Sequence, residues 1–273
     1  MTLRLAGPLL LVGAGKMGGA LLAGWLRHGL DPSSIMVQDP APPPEVAAMM
    51  ASHGIRVRPR VALPTAPAVI VLAVKPQLVD EVLPTLAPLL GRETVVLSIA
   101  AGRTLSSLAS RLPPGAAIVR AMPNTPAAIG QGITAACASA EVTPEQAHAC
   151  DELLEAVGEV IWIGDEQLLD AVTAVSGSGP AYVFLLAECL AEAGEAAGLE
   201  PELAARLARA TVAGAGELLR RTELPPAELR KNVTSPKGTT AAALEVLMGE
   251  DGLADLLTRA VAAAAKHSRQ LSS

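Results

Sequence analysis

At 273 residues the chain is long for one domain, and with 51% hydrophobic and 18% charged residues it can bury a core and is too apolar to be disordered. A formal net charge of -6, with no run of Lys or Arg, leaves no electrostatic footprint for nucleic acid. Cys137, Cys150 and Cys189, like His28, His53, His148 and His267, form no C-x-x-C or H-x-x-x-H pair; metal chemistry is not indicated, and the thiols read as reduced structural groups.

The opening apolar run leads into a glycine-rich turn and not into a small-residue cleavage site, so it reads as a strand and not as a signal peptide. No stretch reaches 18 or more apolar residues without a charge or a breaker, so no membrane span is expected and the protein is placed in the cytoplasm. The runs LLLVGA, SIMVQD, AVIVLAV, ETVVLSIA and AAIVRAMP are short and almost continuously apolar, and helical segments separate them. That is the pattern of a parallel sheet covered on both faces. GITAACAS and GEVIWIGD, flanking a polar helix over 143–156, extend the same sheet.

Beyond Gly164 no β-branched run of strand length remains, and the rest is helical. Leu168, Leu169, Val172 and Val175 recur at three- and four-residue spacing, and AYVFLLAECLAEAGEAAGL carries the pattern to Gly198, a natural helix-ending residue. The SGSGP stretch at 176–180 interrupts it, so that either the helix kinks or two helices abut. Further helices are expected over 201–221, 226–231, 238–248 and 252–270. The reading is an α/β protein: a Rossmann-like, doubly wound dinucleotide-binding domain over 1–165, followed by an all-helical domain over 166–273. Trp25, Trp162, Tyr182 and Phe184 are the only aromatic residues. A narrow bundle of Ala, Leu and Val buries little area by itself, which predicts dimerisation through these helices.

Gly13, Ala14, Gly15, Lys16, Met17 and Gly18 follow a strand and open a helix, the context in which G-x-G-x-x-G cradles a dinucleotide pyrophosphate. Asp39 closes the second strand 21 residues after Gly18 (39 minus 18), where a carboxylate binds ribose hydroxyls and favours NADH. Arg56, Arg58 and Arg60 alternate on an extended segment; they are either a solvated edge or a magnet for the 2′-phosphate of NADPH, and cofactor choice stays open. Ala73, Val74, Lys75 and Pro76 end a strand at the carboxyl edge of the sheet, where Lys75 can donate to the cofactor. In RAMPNTP two prolines stiffen the loop, and the Asn124 amide can meet the nicotinamide or the substrate. The segment KNVTSPKGTT lies between two helices and ends at a helix N-terminus. Its free N–H groups, with Ser235, Thr239 and Thr240, suit a carboxylate.

Taken together, GAGKMGGALLAGW, LAVKPQ, RAMPNTPAAIGQG, VTAVSGSGPAYVF and VTSPKGTT resemble the pyrroline-5-carboxylate reductase family in order and spacing over essentially the whole chain. The resemblance implies an NADPH- or NADH-dependent reductase that converts 1-pyrroline-5-carboxylate to L-proline, and a homodimer that can build a larger ring of dimers. It implies that Gly13 to Met17 form the pyrophosphate turn, that Ala73 to Pro76 lie beside the cofactor ribose, and that Met122, Pro123 and Asn124 lie near the nicotinamide. It further implies that Ser235, Gly238, Thr239 and Thr240 hold the substrate carboxylate, with Thr240 close to the ring nitrogen as the catalytic residue. Two positions depart from the family's usual pattern. Lys237 stands where a first glycine is common, which questions the loop's backbone angle or else adds an ammonium for the carboxylate. Asp39 replaces a small polar residue of many NADPH-using members. β-Hydroxyacid dehydrogenases share a glycine turn of this kind, but they use a lysine in the helix that opens the second domain. Lys16, Lys75, Lys231, Lys237 and Lys266 leave that helix without one. A non-catalytic dinucleotide-binding protein is the other alternative.

Overall fold

The computed structural model describes residues 3–61 and 65–271. Compactness divides the chain into two units, Met1–Gly177 with Ala265–Ser273, and Ser178–Ala264. In the first unit the described strands form one sheet: β1 (Leu9–Val12), β2 (Ile35–Gln38), β3 (Arg56–Arg58), β4 (Val69–Leu72), β5 (Val95–Ser98), β6 (Ala117–Met122), β7 (Gly132–Ala138) and β8 (Gly158–Trp162). Their order is β3-β2-β1-β4-β5-β6-β7-β8. β1 to β6 run parallel, β7 joins β6 antiparallel, and β8 joins β7 in parallel. The arginines at 56 and 58 thus lie on the edge strand, where a polar sequence is tolerated.

Helices α1 (Lys16–Arg27), α2 (Pro44–Ser52), α3 (Val79–Leu86), α4 (Leu105–Ala109) and α5 (Pro144–Glu155) follow individual strands. Alternation along β1 explains how two cores arise from one apolar run. Leu9 and Leu11 pack with Leu21, Trp25, Val46, Met50 and Leu153 of α1, α2 and α5, whereas Leu10 and Val12 pack with Val79, Leu83 and Leu108 of α3 and α4. Each fully buried Leu or Val contributes about 1.5–3 kcal/mol of transfer free energy, so losing either layer would unfold this unit. Trp25 is buried and also donates its indole N–H to the Leu153 carbonyl (2.8 Å), tying α1 to α5. α5 begins at a capping box of Thr143 and Gln146.

Past β8 the chain forms a short 3-10 turn, α6 (Leu169–Val172) and a π-helical turn, Thr173–Gly177. Leu169 is buried with Ala135 and Cys137, so this segment packs on the sheet. That is why the compact boundary falls after Gly177, while the change in sequence character falls at 165.

The second unit opens with a helical hairpin, α7 (Gly179–Ala196) and α8 (Pro201–Arg221), turned at Gly198 with φ +98°. α9 (Pro226–Asn232), α10 (Thr239–Leu247) and α11 (Leu253–Leu271) follow. Only Ala204 and Ala208 are buried among its described residues, and Val183, Phe184, Leu185 and Leu186 stand exposed. The last turns of α11 belong to the first unit, where Ser268 donates its hydroxyl hydrogen to Asp170 (2.6 Å).

Candidate active site

Because β1 to β6 are parallel, their carboxyl ends share one edge, and the order reverses between β1 and β4, the place where open α/β sheets bind ligands. The glycine turn leaves β1 there. Gly13 has φ +92°, and a Cβ on it would meet the Ala73 carbonyl oxygen at 2.7 Å, so the turn and the Ala73–Val74 segment touch backbone to backbone. A Cβ on Gly18 would strike the Gly13 carbonyl, so only glycine lets α1 pack against the turn. Around Gly15 nothing lies within 4 Å of such a Cβ. The first intrahelical bond of α1 runs from the Gly19 N–H to the Gly15 carbonyl, which leaves the N–H groups of Lys16, Met17 and Gly18 directed toward the same space. No acidic side chain occupies that first turn.

Asp39 follows β2, and its carboxylate accepts from the Ala14 N–H (2.6 Å) and the Ala41 N–H (2.8 Å). The carboxylate braces the glycine turn and keeps lone pairs for further donors. Arg58 pairs with Gln38 in the ladder, and Arg56 pairs with Met36. Met36 belongs to the α3/α4 side of the sheet and Val37 to the α1/α2 side. By alternation Arg56 and Arg58 point to the face opposite Val37, and Arg60 lies beyond the strand.

Lys75 is exposed and caps a 3-10 turn that begins at Pro76. The Pro76 carbonyl accepts two bonds from Arg103 (3.2 and 2.9 Å), whose guanidinium also pairs with Asp80 (2.8 Å). Arg103 was not singled out in the sequence. It fixes this loop through backbone, which leaves no pattern in the residue types of the loop it holds.

At the end of β6, Asn124 is buried, its side chain accepting from the Ile133 N–H (2.9 Å) and donating to the Ser176 carbonyl (3.2 Å). Earlier on the same strand, Arg120 is 6% exposed and pairs with Glu166 (2.7 Å), which also accepts from the Leu105 N–H (2.7 Å). A charge inside AAIVRAMP signals a buried partner. Which acid answers it, 46 residues later, sequence does not say. Burial, with the Glu166 charge, pushes the neighbouring Cys137 thiol up to about 11.

In the second unit the loop between α9 and α10 keeps a left-handed residue: Lys237 has φ +59°. The lysine therefore retains the backbone angle that glycine usually supplies, at a cost of about 1–2 kcal/mol. Gly238 N–H donates to the Ser235 carbonyl (3.0 Å), and a Cβ on Gly238 would collide with the Ser235 hydroxyl. The first intrahelical bond of α10 runs from the Ala242 N–H to Gly238, so the N–H groups of Thr239, Thr240 and Ala241 precede it. No side chain caps this helix. Thr234 is set apart from that end, its hydroxyl donating back to the Arg230 carbonyl (2.6 Å).

The expected site residues thus gather in two places. The carboxyl edge of the sheet holds Gly13 to Gly18, Asp39, Ala73 to Pro76 and Met122 to Asn124, and the α9–α10 loop holds Ser235, Gly238, Thr239 and Thr240. Among the described residues, no three His, Cys, Asp or Glu side chains converge as for a metal ion.

Fold and site define a two-unit oxidoreductase that uses a nicotinamide dinucleotide. The chain belongs to the pyrroline-5-carboxylate reductase family. Residues 166–271 match the family model for pyrroline-5-carboxylate reductase dimerisation, and residues 9–102 match that for coenzyme F420-dependent NADP oxidoreductases. The chain is 42% identical over 261 residues to pyrroline-5-carboxylate reductase of Pseudomonas aeruginosa, covering 95% of each protein. To the Pisum sativum enzyme it is 41% identical, covering 96% of this chain and 94% of that one. Among solved structures, a pyrroline-5-carboxylate reductase from Coxiella burnetii superposes with TM-score 0.90 at 34% identity, covering 98% of this chain and all of the other. The Plasmodium falciparum pyrroline carboxylate reductase with NADP bound gives 0.81 at 28% identity, covering 98% and 99%. The helical run Glu166–Ala196 is long and apolar enough, by length and composition, to cross a membrane. It lies within the matched dimerisation region, and the π-helical turn and Pro180 interrupt it.

Proposed function

We propose that the chain transfers a hydride from NADPH or NADH to the C=N bond of 1-pyrroline-5-carboxylate, giving L-proline as the last step of proline biosynthesis. The observation that carries this reading is the family relationship extending at 42% identity across both units, so that the cofactor edge and the α9–α10 loop come as a pair.

The residues fit the cofactor. The open space at Gly15 and the free N–H groups of Lys16, Met17 and Gly18 suit a pyrophosphate, and Gly13 and Ala14 bring backbone close to it. Asp39 accepts from ribose hydroxyls, Ala73 to Pro76 line the ribose, and Met122, Pro123 and Asn124 form the loop beside the nicotinamide. When bound, the nicotinamide supplies the hydride. Ser235, Gly238 and Thr239 hold the substrate carboxylate with the N–H groups that open α10. Thr240 hydrogen-bonds the ring nitrogen. The imine of the substrate is partly protonated at neutral or mildly acidic pH, so the protein is asked mainly for orientation and for one polar contact at the nitrogen. Lys237, held beside these groups, adds positive charge for the carboxylate.

The exposed apolar face of α7 supports a homodimer, extended by family resemblance to a larger ring of dimers, and the three free thiols support a cytoplasmic location. The purified protein is assayed for nicotinamide oxidation with pyrroline-5-carboxylate, and for nicotinamide reduction with a panel of β-hydroxyacids. Imine-dependent turnover supports the reading; β-hydroxyacid oxidation alone, or cofactor binding without any turnover, refutes it.

A further inference from the structure

The site's own strand, β6, grips the segment that leads out of the first unit at two points. Arg120 takes Glu166 at its start, and Asn124 takes the Ser176 carbonyl at its end. The second grip has a cause in the sequence. In an α-helix the Ser176 carbonyl would be taken by the N–H of residue 180, and residue 180 is proline, which has none. A π-helical turn covers Thr173–Gly177 just before this point, and the Ser176 carbonyl is satisfied by the buried Asn124 carboxamide. Gly177 then lies against Met122: a Cβ there would sit 2.9 Å from the Met122 methyl. The same carboxamide accepts from Ile133, so both of its ends are committed to backbone.

We propose that Asn124 is a positioning residue that locks the Thr173–Gly177 turn against the carboxyl end of β6 and so holds the 122–124 loop beside the nicotinamide in the geometry that hydride transfer needs, while cofactor affinity rests on other groups. The inference rests on the proposed imine reduction. It assigns the Asn124 side chain to the turn and leaves the nicotinamide to the loop backbone.

Three variants test it in the full-length protein. Asn124→Asp keeps an oxygen for Ile133 but loses the donor to Ser176, and Asn124→Ala loses both. Asn124→Ala with Pro180→Ala gives residue 180 an N–H, so the Ser176 carbonyl regains a partner within the helix while the turn is not restored. For all three, kcat/KM for the imine should fall about 10- to 100-fold while the dissociation constant of NADPH, read from its fluorescence, changes by about two-fold or less. The double variant should recover the thermal stability lost in Asn124→Ala and still turn over slowly. Three results overturn the proposal: wild-type turnover in Asn124→Asp, turnover that returns along with stability in the double variant, or weakened NADPH binding that matches the loss of turnover. Wild-type protein without imine reduction would instead refute the proposed activity and this inference with it. Normal wild-type turnover with any of the three results refutes the inference alone.

Discussion

The carboxylate of Asp39 accepts a 2.6 Å hydrogen bond from the backbone N–H of Ala14, across 25 residues of chain. One side chain therefore both braces the glycine turn and places negative charge at the end of β2, the position proposed for the ribose contact. Asp39→Ser removes the repulsion against a 2′-phosphate and loosens the turn. The ratio of kcat/KM with NADPH to that with NADH should rise about 10-fold or more, the scale of one hydrogen bond to a charged group, while kcat/KM with NADH itself falls. Initial rates with both cofactors decide it. A wild-type enzyme that already prefers NADPH strongly would mean that Arg56, Arg58 or Arg60 outweighs the carboxylate.

Thr240→Ala should lower kcat by roughly 10- to 1,000-fold with little change in cofactor affinity, as expected for a contact that strengthens in the transition state. Unchanged kcat with a raised KM would reduce Thr240 to a binding residue. If both constants are unchanged, Ser235 and the loop N–H groups are left as the anchors.

Lys237 carries a left-handed backbone, so Lys237→Gly relieves about 1–2 kcal/mol of strain, partly offset by the larger freedom of glycine in the unfolded chain. Stability should rise by about 1 kcal/mol or less on denaturant titration, while KM for the imine acid rises through loss of the ammonium. Movement of both in the same favourable direction would show that the side chain has no part in binding.

Much of this was legible in the sequence, and the reason is local. The apolar runs from LLLVGA to AAIVRAMP are strands because burial on both faces requires continuous hydrophobicity, GEVIWIGD is an edge strand that leaves Ile161 and Trp162 exposed, and α8 begins at Pro201 because proline suits a first helical turn. What was hidden is long-range. That β7 runs against β6, that Leu169 buries itself on β7, and that Asn124 reaches Ser176 depend on residues tens of positions apart, joined through backbone groups that every residue type shares. The interruption at 176–180 was visible as either a kink or two abutting helices; that α6 and α7 meet through a π-helical turn, with the Ser176 carbonyl held by a side chain 52 residues away, was not.

Phe184 is 62% exposed and Leu185 57% exposed on one turn of α7, within the matched dimerisation region. Placing Asp at both positions should yield a monomer in sedimentation velocity, because a charge buried in an apolar interface goes unpaired. A variant that stays dimeric would move the interface elsewhere on the second unit.

Cys137 and Cys150 are buried, and burial holds their thiols protonated, up to about 11 and about 12 against an ordinary value of 9.0. The unfolded chain ionises first. Their contribution to stability is therefore complete below about pH 9 and is lost as pH rises through 11 to 12. Denaturation midpoints should fall over that window, and less steeply in a Cys137→Ala, Cys150→Ala variant. Native protein at neutral pH should resist alkylation at both positions. Rapid labelling of either one in the folded state would contradict this.

The most direct measurement follows the hydrogen itself. The purified protein is given 1-pyrroline-5-carboxylate and NADPH or NADH deuterated on either face of the nicotinamide C4, and the product is read by NMR and mass spectrometry. The account predicts L-proline carrying one deuterium at the ring carbon that was the imine carbon, delivered from one face of the nicotinamide only. Absence of proline, or proline without that deuterium from either labelled cofactor, would contradict it.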